Sequence, residues 1–135
     1  MKDLLKQIIL EQHETKHVSR THFVQRHIAD EWLETTEILI ISGIRRCGKS
    51  VLMQQIRDRL QEKDFFFNFD DERLAHFKLD NFQTLQECFV ELYGDQHTYY
   101  FDEIQNIEGW ERFVRRLYNA GNKIIITGSN ARMLS

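Results

Sequence analysis

Residues Gly43-Ile44-Arg45-Arg46-Cys47-Gly48-Lys49-Ser50 match the pattern G-x-x-x-x-G-K-[ST], whose parts suit a polyphosphate. Glycines let the backbone turn so that several N–H groups, here those of Gly43 through Val51, converge on phosphate oxygens. Lys49 supplies a point charge and Ser50 a hydroxyl for magnesium. A second set of groups lies further on, the adjacent carboxylates Asp102 and Glu103. Mg²⁺ takes hard oxygen ligands and keeps several waters, so Ser50 and Asp102 are its candidate holders, Asp102 directly or through a water. Glu103 is then the candidate general base, a carboxylate one residue beyond the metal holder that can face a water. Phosphate cradle, metal holder and base are three of the parts that phosphoanhydride hydrolysis requires, the fourth being a cation for the transition state.

These residues need elements to position them. The apolar, β-branched run Glu37 to Ser42 reads as a strand ahead of the glycine pattern. Lys49 to Gln61 reads as a helix, with Val51, Leu52, Ile56 and Leu60 on one face. Strand and helix then alternate: Phe65 to Phe69 strand, Asn81 to Tyr93 helix, His97 to Phe101 strand, Trp110 to Ala120 helix, Lys123 to Thr127 strand. That alternation predicts an α/β fold with a parallel sheet. Ligands of such sheets bind at the carboxyl ends of the strands. The phosphate-type loop, the pair Asp102-Glu103 and the pair Ser129-Asn130 all follow strands and converge on that edge. Two helical patterns precede the core, one with Leu4, Leu5, Ile8 and Ile9, the other with Phe23, Val24, Ile28 and Trp32.

The chain has 135 residues, 41% hydrophobic and 29% charged, which suits one globular domain: a helical lead-in over 1–35 and an α/β core over 37–135. A net charge of −3 gives no electrostatic footprint for nucleic acid. Two cysteines far apart in sequence make no disulfide framework, and no N-terminal apolar segment is long enough for export or membrane spanning, so the chain reads as cytoplasmic.

Taken together, the motifs resemble the AAA+ ATPases, in particular the bacterial and archaeal ATPases that carry a C-terminal domain of unknown function. Gly43 to Ser50 is similar to Walker A, Phe101-Asp-Glu-Ile-Gln-Asn-Ile-Glu-Gly-Trp110 to Walker B with its continuation, and Ile126-Thr-Gly-Ser-Asn130 to sensor 1. The resemblance covers roughly Arg20 to Ser135. It implies a P-loop NTPase three-layer fold with sheet order 5-1-4-3-2, ATP and Mg²⁺ as cofactors, and a homo-oligomer in an intact relative. It also makes Asn130 a catalytic residue holding the attacking water or γ-phosphate, with Ser129 the runner-up. Relatives continue with a fifth strand, an arginine finger, a lid carrying sensor 2 and a C-terminal domain. Set against them the chain reads as a fragment, with order 1-4-3-2, an empty fifth-strand position and hydrolysis weak or absent.

Other readings use the same residues differently. Without turnover, the site is a nucleotide-binding module or remnant. A small-molecule kinase shares the loop but does not need Glu103 and Asn130. His13-Glu-Thr-Lys-His17 matches H-E-x-x-H, a zinc peptidase pattern. Lys16 places a cation beside that proposed metal, and an exposed polar end of the first helix accounts for the segment. Cys47 reads as a small residue that fits the loop, and Asp70-Asp71-Glu72 as a solvated acidic loop.

Overall fold

The computed structural model describes residues 1–19, 27–43 and 46–129. Its elements run α1 (Lys2–Ser19), α2 (Asp30–Glu34), β1 (Leu39–Ser42), α3 (Arg46–Arg59), β2 (Phe65–Asn68), α4 (Asn81–Tyr93), β3 (Thr98–Asp102), α5 (Trp110–Asn119) and β4 (Lys123–Gly128). Two 3₁₀ turns, Glu72–Leu74 and Ile104–Asn106, follow β2 and β3. The four strands form one all-parallel sheet in the order β1-β4-β3-β2. This is a P-loop NTPase-like α/β fold.

Side chains alternate along each strand, and that period of two sorts the core. Phe65 and Phe67, Tyr99 and Phe101, and Ile124 and Ile126 face one side, where they meet Leu5, Ile8 and Ile9 of α1, Phe82, Leu85 and Phe89 of α4, and Phe113, Val114 and Leu117 of α5. Tyr100 and Ile125 face the other side with Met53 of α3, joined by half-buried Leu39, Ile41 and Phe66. Strands covered on both faces read as continuous apolar runs, as Tyr99-Tyr100-Phe101 and Ile124-Ile125-Ile126 do.

Several boundaries differ from those read in the sequence, each for a local reason. α3 begins at Arg46 rather than Lys49, so Gly48, Lys49 and Ser50 already lie in its first turn. Asp102 is the last residue of β3, paired in register with Asn68, rather than the first of a loop. Among the described residues of the second predicted helical pattern, Asp30–Glu34 is helical; Ile28 precedes it and is buried, and Phe23 and Val24 lie outside the described residues. The stop at Gly121 holds: its φ is 92°, and the N–H groups of Gly121 and Asn122 return to the carbonyls of Tyr118 and Leu117.

Candidate functional site

The strand order decides which residues meet. Because β4 lies between β1 and β3, the end of β1 that leads to the glycine pattern and the end of β3 that carries Asp102 flank one strand. Ser50 Oγ donates to Asp102 Oδ2 at 2.8 Å, across 52 residues of sequence. From the strand between them, the Thr127 hydroxyl donates to Asp102 Oδ1. The same hydroxyl oxygen accepts the Glu103 backbone N–H at 3.0 Å. Gln105 Nε2 donates to Glu103 Oε1 at 2.9 Å.

Glu103 has φ 54° and ψ 44°, the one non-glycine in the left-handed region among the described residues. Such a conformation costs on the order of 1 kcal/mol and persists where surroundings over-determine it. Here the Thr127 and Gln105 bonds do so, turning the chain from β3 directly into the 3₁₀ turn.

Three ionisable side chains lie almost wholly out of water at this edge: Lys49 is 5% exposed, Asp102 3% and Glu103 4%. Burial raises the Asp102 carboxyl above the ordinary aspartate range, opposed by the bonds from Thr127 and Ser50; the Glu103 charge adds to the rise and the Lys49 charge opposes it. Lys49 Nζ is buried with no hydrogen-bond partner among the described residues. Its stem passes beside Gly43, where an added Cβ would stand 3.9 Å from Lys49 Cδ. Most buried polar groups in folded proteins are satisfied, and an unsatisfied ammonium fits an anion. It stands in the first turn of α3, where helix N–H groups lack internal partners and the helix dipole favours negative charge. The hydroxyl of Ser50 and the carboxylate of Asp102 are hard oxygen donors that suit magnesium.

The structure therefore brings Lys49, Ser50, Asp102 and Glu103 together, with Gly43, Gly48 and Val51 alongside. Ile44, Arg45 and Asn130 lie outside the described residues, as do the side chains of Arg46 and Cys47. Thr127 and Gln105 are the site residues that the sequence reading missed. Thr127 left one signal, a lone hydroxyl ending the run Ile124-Ile125-Ile126, but its importance depends on the strand order. Gln105 left none, since an amide in a polar loop is ordinary.

The H-E-x-x-H segment behaves differently from its expected exposed helix end. His13 is half-buried; its Nε2 lies 2.9 Å from the Asp64 carbonyl oxygen and its ring stacks on Tyr93 with centroids 4.7 Å apart. The Arg57 guanidinium lies 3.5 Å from the same Nε2, so this nitrogen is packed among protein groups rather than facing solvent. The side chain of His17 is outside the described residues. The acidic loop is also not simply solvated: Asp71 accepts from the Arg73 backbone N–H and pairs with its guanidinium at 2.8 Å.

A glycine-and-lysine loop opening a helix after β1, with an acidic pair at the end of the strand next but one in a parallel sheet, defines a P-loop NTPase-like protein. Residues 35–135 match the family model described as AAA domain, and the chain belongs to that family. It is 39% identical over 100 residues to an uncharacterized protein of Methanocaldococcus jannaschii, covering 73% of this chain and 22% of the relative. It is 39% identical over 128 residues to an uncharacterized protein of Haemophilus influenzae, covering 87% of this chain and 31% of the relative. A second M. jannaschii uncharacterized protein is 31% identical over 115 residues, covering 78% of this chain and 24% of the relative. The chain thus spans less than a third of the length of these relatives. No solved structure matches. Among the described residues, no helix is long and apolar enough to cross a membrane.

Proposed function

We propose that this chain is the nucleotide-binding core of an ATPase, taking Mg·ATP at the edge formed by Lys49, Ser50, Asp102 and Glu103. The observation that carries the reading is the buried Lys49 ammonium, which has no hydrogen-bond partner among the described residues, beside the Ser50–Asp102 pair and at a helix N-terminus. The backbone of Gly43 to Val51 and Lys49 hold the phosphates, and Ser50 with Asp102 holds the metal. Magnesium, when bound, neutralises phosphate charge. Glu103 accepts a proton from water as the water oxygen bonds to the γ-phosphorus and the bond to the bridging oxygen breaks. Gln105 and Thr127 support Glu103 in this role. Asn130, by the AAA+ resemblance, orients the water or the γ-phosphate. The 1–35 segment is a helical lead-in to this core, and relatives of full length assemble as homo-oligomers.

Calorimetry with Mg·ADP tests the reading: the wild-type chain binds and Lys49→Ala does not, since the loop loses its fixed charge. Equal affinity in the two proteins would remove it. The second reading, binding without turnover, is separated by Glu103→Gln, which retains Mg·ATP affinity and loses whatever hydrolysis the wild type shows.

A further inference from the structure

We propose that Thr127 is a positioning residue for the metal: by holding Asp102 Oδ1 it leaves Oδ2, the oxygen beside Ser50, as the single carboxylate oxygen offered to magnesium. This rests on the Mg·nucleotide reading of the site, and it adds a specificity-determining role for a residue of β4. Thr127 is fully buried, in register opposite Ile41 of β1. A hydroxyl has one proton, and that of Thr127 is committed to Oδ1. Its oxygen is committed too, to the Glu103 N–H. The group therefore cannot rotate without breaking two bonds at once. Asp102 is 3% exposed, so no water competes for Oδ1.

The other side of the carboxylate differs. Oδ2 is approached by Ser50 Oγ at 2.8 Å, from a half-buried side chain whose proton can turn away when a cation arrives. Asp102 is thus pinned on its protein side and available on its Ser50 side. This asymmetry bears on which cation is accepted. Magnesium demands a small octahedral shell, whereas calcium is larger and takes carboxylates by one oxygen or by two. Withholding Oδ1 removes the two-oxygen mode that calcium can use. Groups that orient metal ligands from behind are typically worth about 10- to 100-fold in metal affinity.

The test measures ADP affinity by calorimetry against free Mg²⁺, against free Ca²⁺, and in chelator, on the 135-residue chain. In Thr127→Val, which keeps the shape and loses the proton, the Mg²⁺ midpoint rises about 10-fold or more and the preference for Mg²⁺ over Ca²⁺ narrows. Affinity for ADP in chelator stays within about 2-fold, because Lys49 and the loop are untouched. Thr127→Ser restores the midpoint to within about 3-fold of wild type, since the hydroxyl returns. Should the valine chain fail to fold, Thr127→Cys, a weaker donor of similar volume, carries the test with an intermediate midpoint. A folded valine or cysteine variant with the wild-type Mg²⁺ midpoint and ion preference would overturn the proposal. So would a serine variant no better than valine, or a wild type that binds ADP without regard to magnesium. A wild type that binds no ADP under any condition would instead defeat the underlying reading of the site.

Discussion

Asp102 keeps its carboxylate at an edge that water hardly reaches, and the cost appears in its titration. Burial raises its native pKa above the ordinary value of 3.8, despite the bonds from Thr127 and Ser50. The native chain therefore holds this proton to higher pH than the unfolded chain does. Its contribution to stability is fully present below about pH 3.8 and is lost as pH rises through the raised native value. Asp102→Asn, which keeps one oxygen to accept from Thr127 and turns its NH₂ toward the Ser50 hydroxyl oxygen, should melt above wild type near neutrality, with the gain shrinking as pH falls toward the ordinary aspartate range. Thermal unfolding across that window checks it. A variant that melts below wild type at pH 7 would show that Asp102 contributes more as an anion, through Lys49, than its burial costs.

At the scale of elements, α1 belongs to the core although the family match begins at residue 35. Leu5, Ile8 and Ile9 are fully buried. The Gln12 side-chain amide bonds both backbone groups of Asn68, accepting from its N–H at 2.9 Å and donating to its carbonyl at 3.0 Å. Gln12 thereby acts as a one-residue partner strand at the open side of β2, an edge that would otherwise present unpaired groups. Leu5→Ala should cost about 2–5 kcal/mol in urea unfolding, as for other buried leucines. The charges that join α1 to its neighbours contribute far less. Hydrogen bonds from Lys2 and Lys6 lower the Glu91 pKa to about 2. That contribution is present above the ordinary value of 4.5 and is lost as pH falls through about 2. The groups are exposed and salt screens them, so Glu91→Gln should change stability slightly and the difference should vanish in high salt.

For the whole molecule, β1 forms one edge of the sheet and nothing pairs its outer side among the described residues. Ile40 is 52% exposed there. An unpaired edge with an apolar side chain is a template for another strand, and a lysine on such an edge discourages pairing. The 135-residue chain should therefore self-associate with rising concentration, and Ile40→Lys should reduce this in analytical ultracentrifugation while leaving Mg·ADP affinity unchanged. Catalysis has its own limit at this scale. The arginines whose side chains are described sit elsewhere: Arg57 over the Phe66 ring, Arg59 beside Asp30, Arg73 with Asp71 and Glu11, and Arg112, Arg115 and Arg116 on the exposed side of α5. A transition-state arginine supplied by a neighbouring subunit, as the AAA+ resemblance implies, is typically worth about 10³–10⁵ in rate. Steady-state hydrolysis by the chain alone should stay well below about one per second, and a faster rate that disappears in Glu103→Gln would show that it needs no added cation.

By itself the sequence determined the four strands and the helices α3, α4 and α5, because these depend on short-range pattern: a period of two in Phe65 to Phe67, and a helical stripe from Trp110 to Tyr118. The strand order 1-4-3-2 followed only from the AAA+ resemblance. What the fold alone decided were contacts between residues remote in sequence. Thr127 matters because β4 stands between β1 and β3, and no local pattern encodes that neighbour relation. His13 read as part of an exposed polar helix end, but Asp64 and Tyr93, about fifty and eighty residues away, pack against its ring. The burial of Lys49 and Asp102 was equally hidden, since charged residues are ordinarily exposed and only the packed sheet edge excludes water from them.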